Sequence, residues 1–125
     1  MLCRGIRGAT VAEADTPQAI LDATRELLEA LIAANDVHPD DVASVFFTTS
    51  PDLTAEYPAL AARELGWLDT ALLCNQDIAV PTGLARCIRV LIHWNTERRP
   101  DEIKHCYLGE AERLRPDRVR AAQPA

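Results

Sequence analysis

The sequence predicts one α/β-type domain, a mixed β-sheet carrying two main helices on one face. Three observations lead there. Strand-like and helix-like segments follow one another as strand, helix, strand, helix, strand, strand, strand. The chain has 125 residues, enough for one hydrophobic core. It is 48% hydrophobic but only 5% aromatic, so Ala, Leu, Ile and Val must fill that core. No internal repeat, low-complexity tract or interdomain linker divides it.

Residues 2–9 read as the first strand, interrupted by Gly5 and Gly8. Glycine inside a strand often marks a bulge or a close backbone approach. Asp15-Thr16-Pro17 starts a helix, with a capping side chain followed by proline in the first turn. That helix runs to about Asn35. Its apolar face is Ile20, Leu21, Leu27, Leu28, Leu31 and Ile32, with Thr24 filling the gap. His38-Pro39-Asp40-Asp41 is a turn, and Val42–Thr49, rich in Val, Phe and Thr, is a strand ended by Ser50-Pro51-Asp52. Tyr57-Pro58 opens a second helix through Ala59, Ala61, Ala62 and Leu65, which Gly66 stops.

Thr70–Cys74 is a short strand, and Asn75–Gly83 a loop or edge segment. Leu84–Trp94 is a long apolar run read as a strand, although periodicity alone does not separate it from a helix. Arg98-Arg99-Pro100-Asp101 turns the chain into a final strand, Ile103–Leu108. A mobile tail is expected over residues 115–125, which carry Pro116 and Pro124. Two helices can cover one sheet face. The other face needs a partner, so a homo-oligomer is expected.

Charge and cysteine usage remove several functional classes. The net charge is −6, and no basic stripe suggests nucleic acid. Arg113, Arg115, Arg118 and Arg120 are interleaved with Glu112, Pro116 and Asp117 and read as a solvated tail. No apolar run approaches the roughly 20 residues of a membrane span. Cys3, Cys74, Cys87 and Cys106 form no Cys-x-x-Cys pair and sit in apolar surroundings, where cysteine acts as a small hydrophobe. Arg4 and Arg7 interrupt the short apolar start, so no signal peptide is expected, and reduced thiols in the cytoplasm are. His38, His93 and His105 lack metal-ligand spacing. No phosphate-binding glycine loop is present.

What remains is a pair of arginines in strand-like sequence. Arg7 lies in the opening strand. Arg89 alternates with apolar residues, sharing a face with Cys87, Leu91 and His93 opposite Ile88, Val90, Ile92 and Trp94. A buried guanidinium needs an anion or several acceptors. If both arginines point inward, a small carboxylate is the ligand to test. For a single arginine the ordinary reading is an edge position or a salt bridge. Two in one small domain weaken that reading without displacing it. Arg63 ordinarily marks a solvated helix face. Cys74 and Asp77 flank the loop leaving a short strand, where a buried thiol and a turn-capping carboxylate are the ordinary roles. Tyr107 reads as a core or interface tyrosine.

The segments Arg4-Gly5-Ile6-Arg7-Gly8-Ala9-Thr10, Thr49-Ser50-Pro51-Asp52-Leu53, Tyr57-Pro58-Ala59 and Ala62-Arg63-Glu64-Leu65 occur in that order. Cys87-Ile88-Arg89-Val90, His105-Cys106-Tyr107-Leu108 and Leu114-Arg115-Pro116-Asp117 follow. Each fragment alone is unspecific. The colinear set, from residue 3 to about 118, resembles the small trimeric chorismate mutase family of the Bacillus type, distinct from the all-helical mutases.

The resemblance implies an α+β domain over residues 1–118, with residues 119–125 as a mobile C-terminal tail. It implies a homotrimer with a barrel-like core and active sites at the subunit interfaces. The implied reaction is the pericyclic (Claisen) rearrangement of chorismate to prephenate in Phe and Tyr biosynthesis, with no cofactor, no metal and no covalent intermediate. By resemblance, Arg89 bonds the ether oxygen and an adjacent carboxylate. Arg7 and Tyr107 hold the enolpyruvyl carboxylate. Cys74 and Asp77 face the ring hydroxyl and the positive charge developing on the ring. Arg63, Tyr57, Leu73 and Leu114 line or cover the pocket.

Three positions depart from the family pattern. Asp77 stands where Glu is usual, Leu60 where Lys is usual, and Pro81-Thr82-Gly83 where Thr-Gly-Gly is common. Two rival readings share the architecture: a trimeric Rid-like imine deaminase, and a non-catalytic carboxylate-binding sensor.

Overall fold

The computed structural model describes residues 1–114. Its strands are β1 (Leu2–Val11), β2 (Val42–Thr49), β3 (Ala71–Gln76), β4 (Cys87–Thr96) and β5 (Cys106–Tyr107). They form one mixed sheet in the order β3-β2-β4-β1-β5. β4 runs antiparallel to β1 and β2, while the outer pairs β2–β3 and β1–β5 are parallel. Helices α1 (Pro17–Asn35) and α2 (Ala59–Glu64) lie in the connections, and α2 supplies the crossover that parallel β2 and β3 require.

Helix α1 forms where its capping chemistry allows. The Thr16 side chain accepts a hydrogen bond from the Ala19 N–H (3.1 Å), and Pro17 opens the first turn. Its buried residues are Ile20, Leu21, Thr24, Leu27, Leu28, Leu31 and Asn35, the expected stripe with Ile32 only half-buried and one polar residue added. Asp36, at a φ of 56°, ends it. Gly66 (φ 97°) reverses the chain after α2, so that the Trp67 N–H reaches the Ala62 carbonyl (3.1 Å) and the indole is buried.

Both helices pack on the same sheet face. The main core joins Leu27, Leu28 and Leu31 of α1 and Ala59 and Ala62 of α2 to Ile6, Val45, Phe47, Val90 and Ile92 of the sheet. The opposite face is uncovered around Phe46, 37% exposed, and Leu73, 51%, while the short 3₁₀ turn Gly109–Leu114 covers it at Ala9 and Tyr107. Each large side chain buried in the core contributes about 1.5–3 kcal/mol. The alternation that points Val45 and Phe47 inward therefore holds Phe46 out.

Several expectations changed in detail. Strand β3 runs on to Gln76 instead of ending at Cys74, and β4 starts at Cys87 instead of Leu84. The glycines do not interrupt β1, which runs unbroken to Val11. Gly8 is instead a close approach: a Cβ there would lie 2.9 Å from Leu31 Cδ1 and 3.0 Å from the Cys106 carbonyl oxygen. The last strand is confined to Cys106–Tyr107 rather than spanning Ile103–Leu108. Its predicted first half is tied elsewhere. Asn35 donates to the Lys104 carbonyl (2.8 Å) and accepts from the Lys104 N–H (2.9 Å), so a side chain takes the place of a neighbouring strand. The expected tail over 119–125, and the Arg115-Pro116-Asp117 fragment, lie outside the described residues.

Candidate active site

Neither arginine enters the core. Arg7 sits between buried Ile6 and buried Gly8, and the pleat turns its side chain to the open face, where it is exposed. Arg89 lies on the same face with its side chain 48% exposed. Arg7 stands opposite Leu91 and Arg89 opposite Ala9. The two are thus diagonal neighbours, about 7–8 Å apart at the backbone in such a pair.

A cavity of 370 Å³ lies over this pair. It is lined by Arg7, Asp77, Arg89, Tyr107 and Leu114, together with Phe46, Thr48 and Leu91. Its size suits a small organic ligand. Two fixed cations face one carboxylate there, which leaves the lining positive in a protein of net charge −6. Asp77 arrives from the end of β3, its N–H bonded to the Thr49 carbonyl (2.8 Å). Its Oδ2 lies 3.2 Å from Arg89 Nε. Tyr107 is paired with Ala9 and is buried against Ala9 and Ala111, with Leu114 beside them.

A second network fixes the chain where it enters β4. The Ser50 hydroxyl donates to Asp52 and accepts from the Cys87 N–H (2.8 Å). Asp52 also accepts from the Arg86 N–H (2.9 Å), holding Arg86 at a φ of 51°. The Arg86 side chain donates to the Ala12 carbonyl (2.9 Å). The Ser50-Pro51-Asp52 turn therefore anchors β4 to the end of β1, just ahead of Arg89. The Ser50 hydroxyl, seconded by the Arg86 N–H, holds the Asp52 carboxyl below its ordinary range.

The remaining sequence-selected residues gather elsewhere. Tyr57, Arg63, Leu73 and Cys74 line a separate 370 Å³ cavity with Glu56, Ala59, Leu60 and Leu72. Cys74 turns toward the helices, packs on the main core and receives the Ala59 N–H. Asp77 follows three residues later and joins the arginines. Burial pushes the Cys74 thiol above its ordinary value, so it is an uncharged S–H group near neutrality rather than a nucleophilic thiolate. A larger cavity of 590 Å³ beside it has Glu56 as its only charged lining residue, which does not suit an anion.

Sequence reasoning missed Phe46, Thr48 and Leu91. The alternation of β2 held the signal: Ser44, Phe46 and Thr48 share the face on which Arg89 lies. Among the described residues, no group of three His, Cys, Asp or Glu side chains could hold a metal.

Comparison with known proteins bears on this site. Residues 3–118 match the family model for chorismate mutase type I. The chain is 49% identical over 117 residues to chorismate mutase AroH of Thermus thermophilus, covering 93% of this chain and 96% of that one. It is 45% identical over 118 residues to chorismate mutase AroH of Bacillus subtilis, covering 94% and 93%. A solved chorismate mutase from Clostridium thermocellum superposes with a TM-score of 0.87 at 43% identity, over 89% of this chain and 99% of that one.

Proposed function

The chain belongs to the type I chorismate mutase family and converts chorismate to prephenate, and we propose that Arg89, Arg7, Asp77 and Tyr107 carry that reaction. The observation behind the proposal is the cavity that places both arginines, one carboxylate and one phenol on a single sheet face. Chorismate is a dicarboxylate, so two guanidinium groups match its charge and can fold its side chain over the ring. Holding the reacting carbons in contact is an orientation effect. As the C–O bond breaks, negative charge grows on the ether oxygen and positive charge on the ring. Arg89 serves the first. Asp77, held against Arg89, is the anion nearest the second. A preorganised donor of this kind supplies about 3–4 kcal/mol.

Cys74, Tyr57, Arg63 and Leu73 belong to the same active site, contributed by a neighbouring copy of the chain. Support comes from the two separate clusters and from the uncovered sheet face with Phe46 and Leu73. The assembly is a homotrimer with three interfacial sites. Leu114 closes the pocket from the C-terminal side. The reaction itself uses no cofactor. A cytoplasmic location completes the reading and rests on four unpaired cysteines.

Complementation tests the shared site. Arg89→Ala and Arg63→Ala are each expected to be nearly inactive. Assembled together, they should form mixed trimers in which some sites are intact, and activity should return. Were each copy to hold a whole site, mixing would restore nothing. Loss of chorismate absorbance is the readout.

A further inference from the structure

Thr48 stands directly across from Arg89 in the β2–β4 pairing and lines the same cavity. Its Oγ1 is buried without a hydrogen-bond partner, and it is the one side-chain oxygen or nitrogen so left among the described residues. Other buried polar side chains are provided for: the Thr24 hydroxyl donates to the Ile20 carbonyl (2.7 Å), and the Asn35 amide bonds Leu31 and Lys104. Buried hydroxyls are nearly always paired, because an unpaired one has lost its water and gained nothing. Phe46 and Leu91, facing each other on the same side of the sheet, offer it no acceptor, and no hydrogen bond joins it to Asn75, its cross-strand neighbour on β3. The cationic Arg89 opposite offers none either.

A bound dicarboxylate would supply what is missing. Its carboxylate and ether oxygens are acceptors, and the group that Arg89 attracts must come close to the residue across from it. We infer that Thr48 is a substrate-binding residue, whose hydroxyl donates to an oxygen of the chorismate carboxylate held by Arg89. This inference rests on the site assignment above. The hydroxyl is closed off from solvent, so a turn about χ1 must bring it to the cavity, where a hydrogen bond to a charged oxygen is among the stronger ones.

Thr48→Val keeps the branched shape and removes the donor, and Thr48→Ser keeps the donor. Steady-state kinetics on chorismate, thermal unfolding of the ligand-free proteins and their sedimentation form the test. Thr48→Val should lower kcat/KM about tenfold or more, the loss of one charge-assisted bond, while melting at or above wild type. Thr48→Ser should stay within about threefold of wild type, since its donor remains. Both should sediment as the wild type does.

Wild-type kcat/KM in Thr48→Val would overturn the inference. So would equal impairment of both variants, a parallel loss of stability and activity, or a changed assembly, which would assign the hydroxyl to packing between copies. Arg89→Ala, measured alongside, separates the two claims. If it is inactive while Thr48→Val is normal, only the role of Thr48 is wrong. If Arg89→Ala is also normal, the site assignment itself fails.

Discussion

Asp77 Oδ2 and Arg89 Nε lie 3.2 Å apart, joining the residue just past β3 to a position near the start of β4 across the end of β2. The Arg89 side chain is 48% exposed and that of Asp77 24%, so water screens the pair. Its contribution to folding is at most about 1 kcal/mol. What the pair does is aim. It restricts the rotamers of a guanidinium that would otherwise range over the open sheet face.

Arg89→Ala should therefore separate chemistry from folding. We expect a loss of at least about 3 kcal/mol of transition-state stabilisation, a fall in kcat/KM of more than about a hundredfold. Circular dichroism and the unfolding midpoint should barely change. Near-wild-type chorismate consumption by a folded Arg89→Ala protein would remove Arg89 from the reaction.

At Asp77 the outcome depends on length as well as charge. Asp77→Asn keeps the shape and discards the anion, so kcat should fall while stability moves by less than about 1 kcal/mol. Asp77→Glu adds one methylene and reaches further toward the ring. If the shorter carboxylate is a compromise, kcat should hold or rise. A large loss in Asp77→Glu would mean that the loop after β3 is shaped around the aspartate. Parallel kcat and KM measurements on the two variants decide this.

Acid should weaken the protein through carboxylates that accept hydrogen bonds. The Asp52 carboxyl lies below its ordinary value of 3.8, chiefly through the Ser50 hydroxyl. Asp15 is lowered chiefly by the Thr54 N–H, with the Ala55 N–H helping. A carboxyl whose folded pKa is depressed stabilises the fold fully above its unfolded value, and that stability is lost as pH falls through the folded pKa. Denaturant midpoints should accordingly be flat above about pH 5 and decline below about pH 4. Asp52→Asn should be less stable at neutrality and show a shallower acid decline. An unchanged acid limb in Asp52→Asn would mean that Asp52 is not among the groups responsible.

Much of this was legible in the residues because local rules decided it. Thr16-Pro17 had to start a helix, and the Ile20–Leu31 stripe had to face a sheet. Alternation in β4 had to place Arg89 with Leu91 and His93. The direction of that face was not legible. A strand shows its period but not which side the helices will cover, and both arginines proved to stand on the open side. Cys74 and Asp77 looked like one group along the chain. The pleat and the loop sent one to the helices and the other to the arginines. Alternation in β2 set Thr48 on the face of Arg89, but its unpaired hydroxyl was not legible, because that depends on how three strands meet.

Asn35 supports the site from the far side of the sheet. It is fully buried, and its amide binds both backbone groups of Lys104 as well as the Leu31 carbonyl (3.0 Å). The next residue, His105, accepts the Arg7 N–H at Nδ1 (2.9 Å), and Tyr107 follows in β5. One side chain thus fixes the segment that carries the clamp for a carboxylate. Asn35→Ala leaves the Lys104 N–H and C=O without these partners and opens a small void. We expect a loss of about 2–4 kcal/mol in denaturant unfolding, and a raised KM for chorismate as Tyr107 loosens. Asn35→Asp keeps the acceptor for the Lys104 N–H but sets an anion against two carbonyls, so it should be no better than alanine. A stability loss below about 0.5 kcal/mol in Asn35→Ala would show that β1 alone holds the segment, since one net hydrogen bond is already worth more than that.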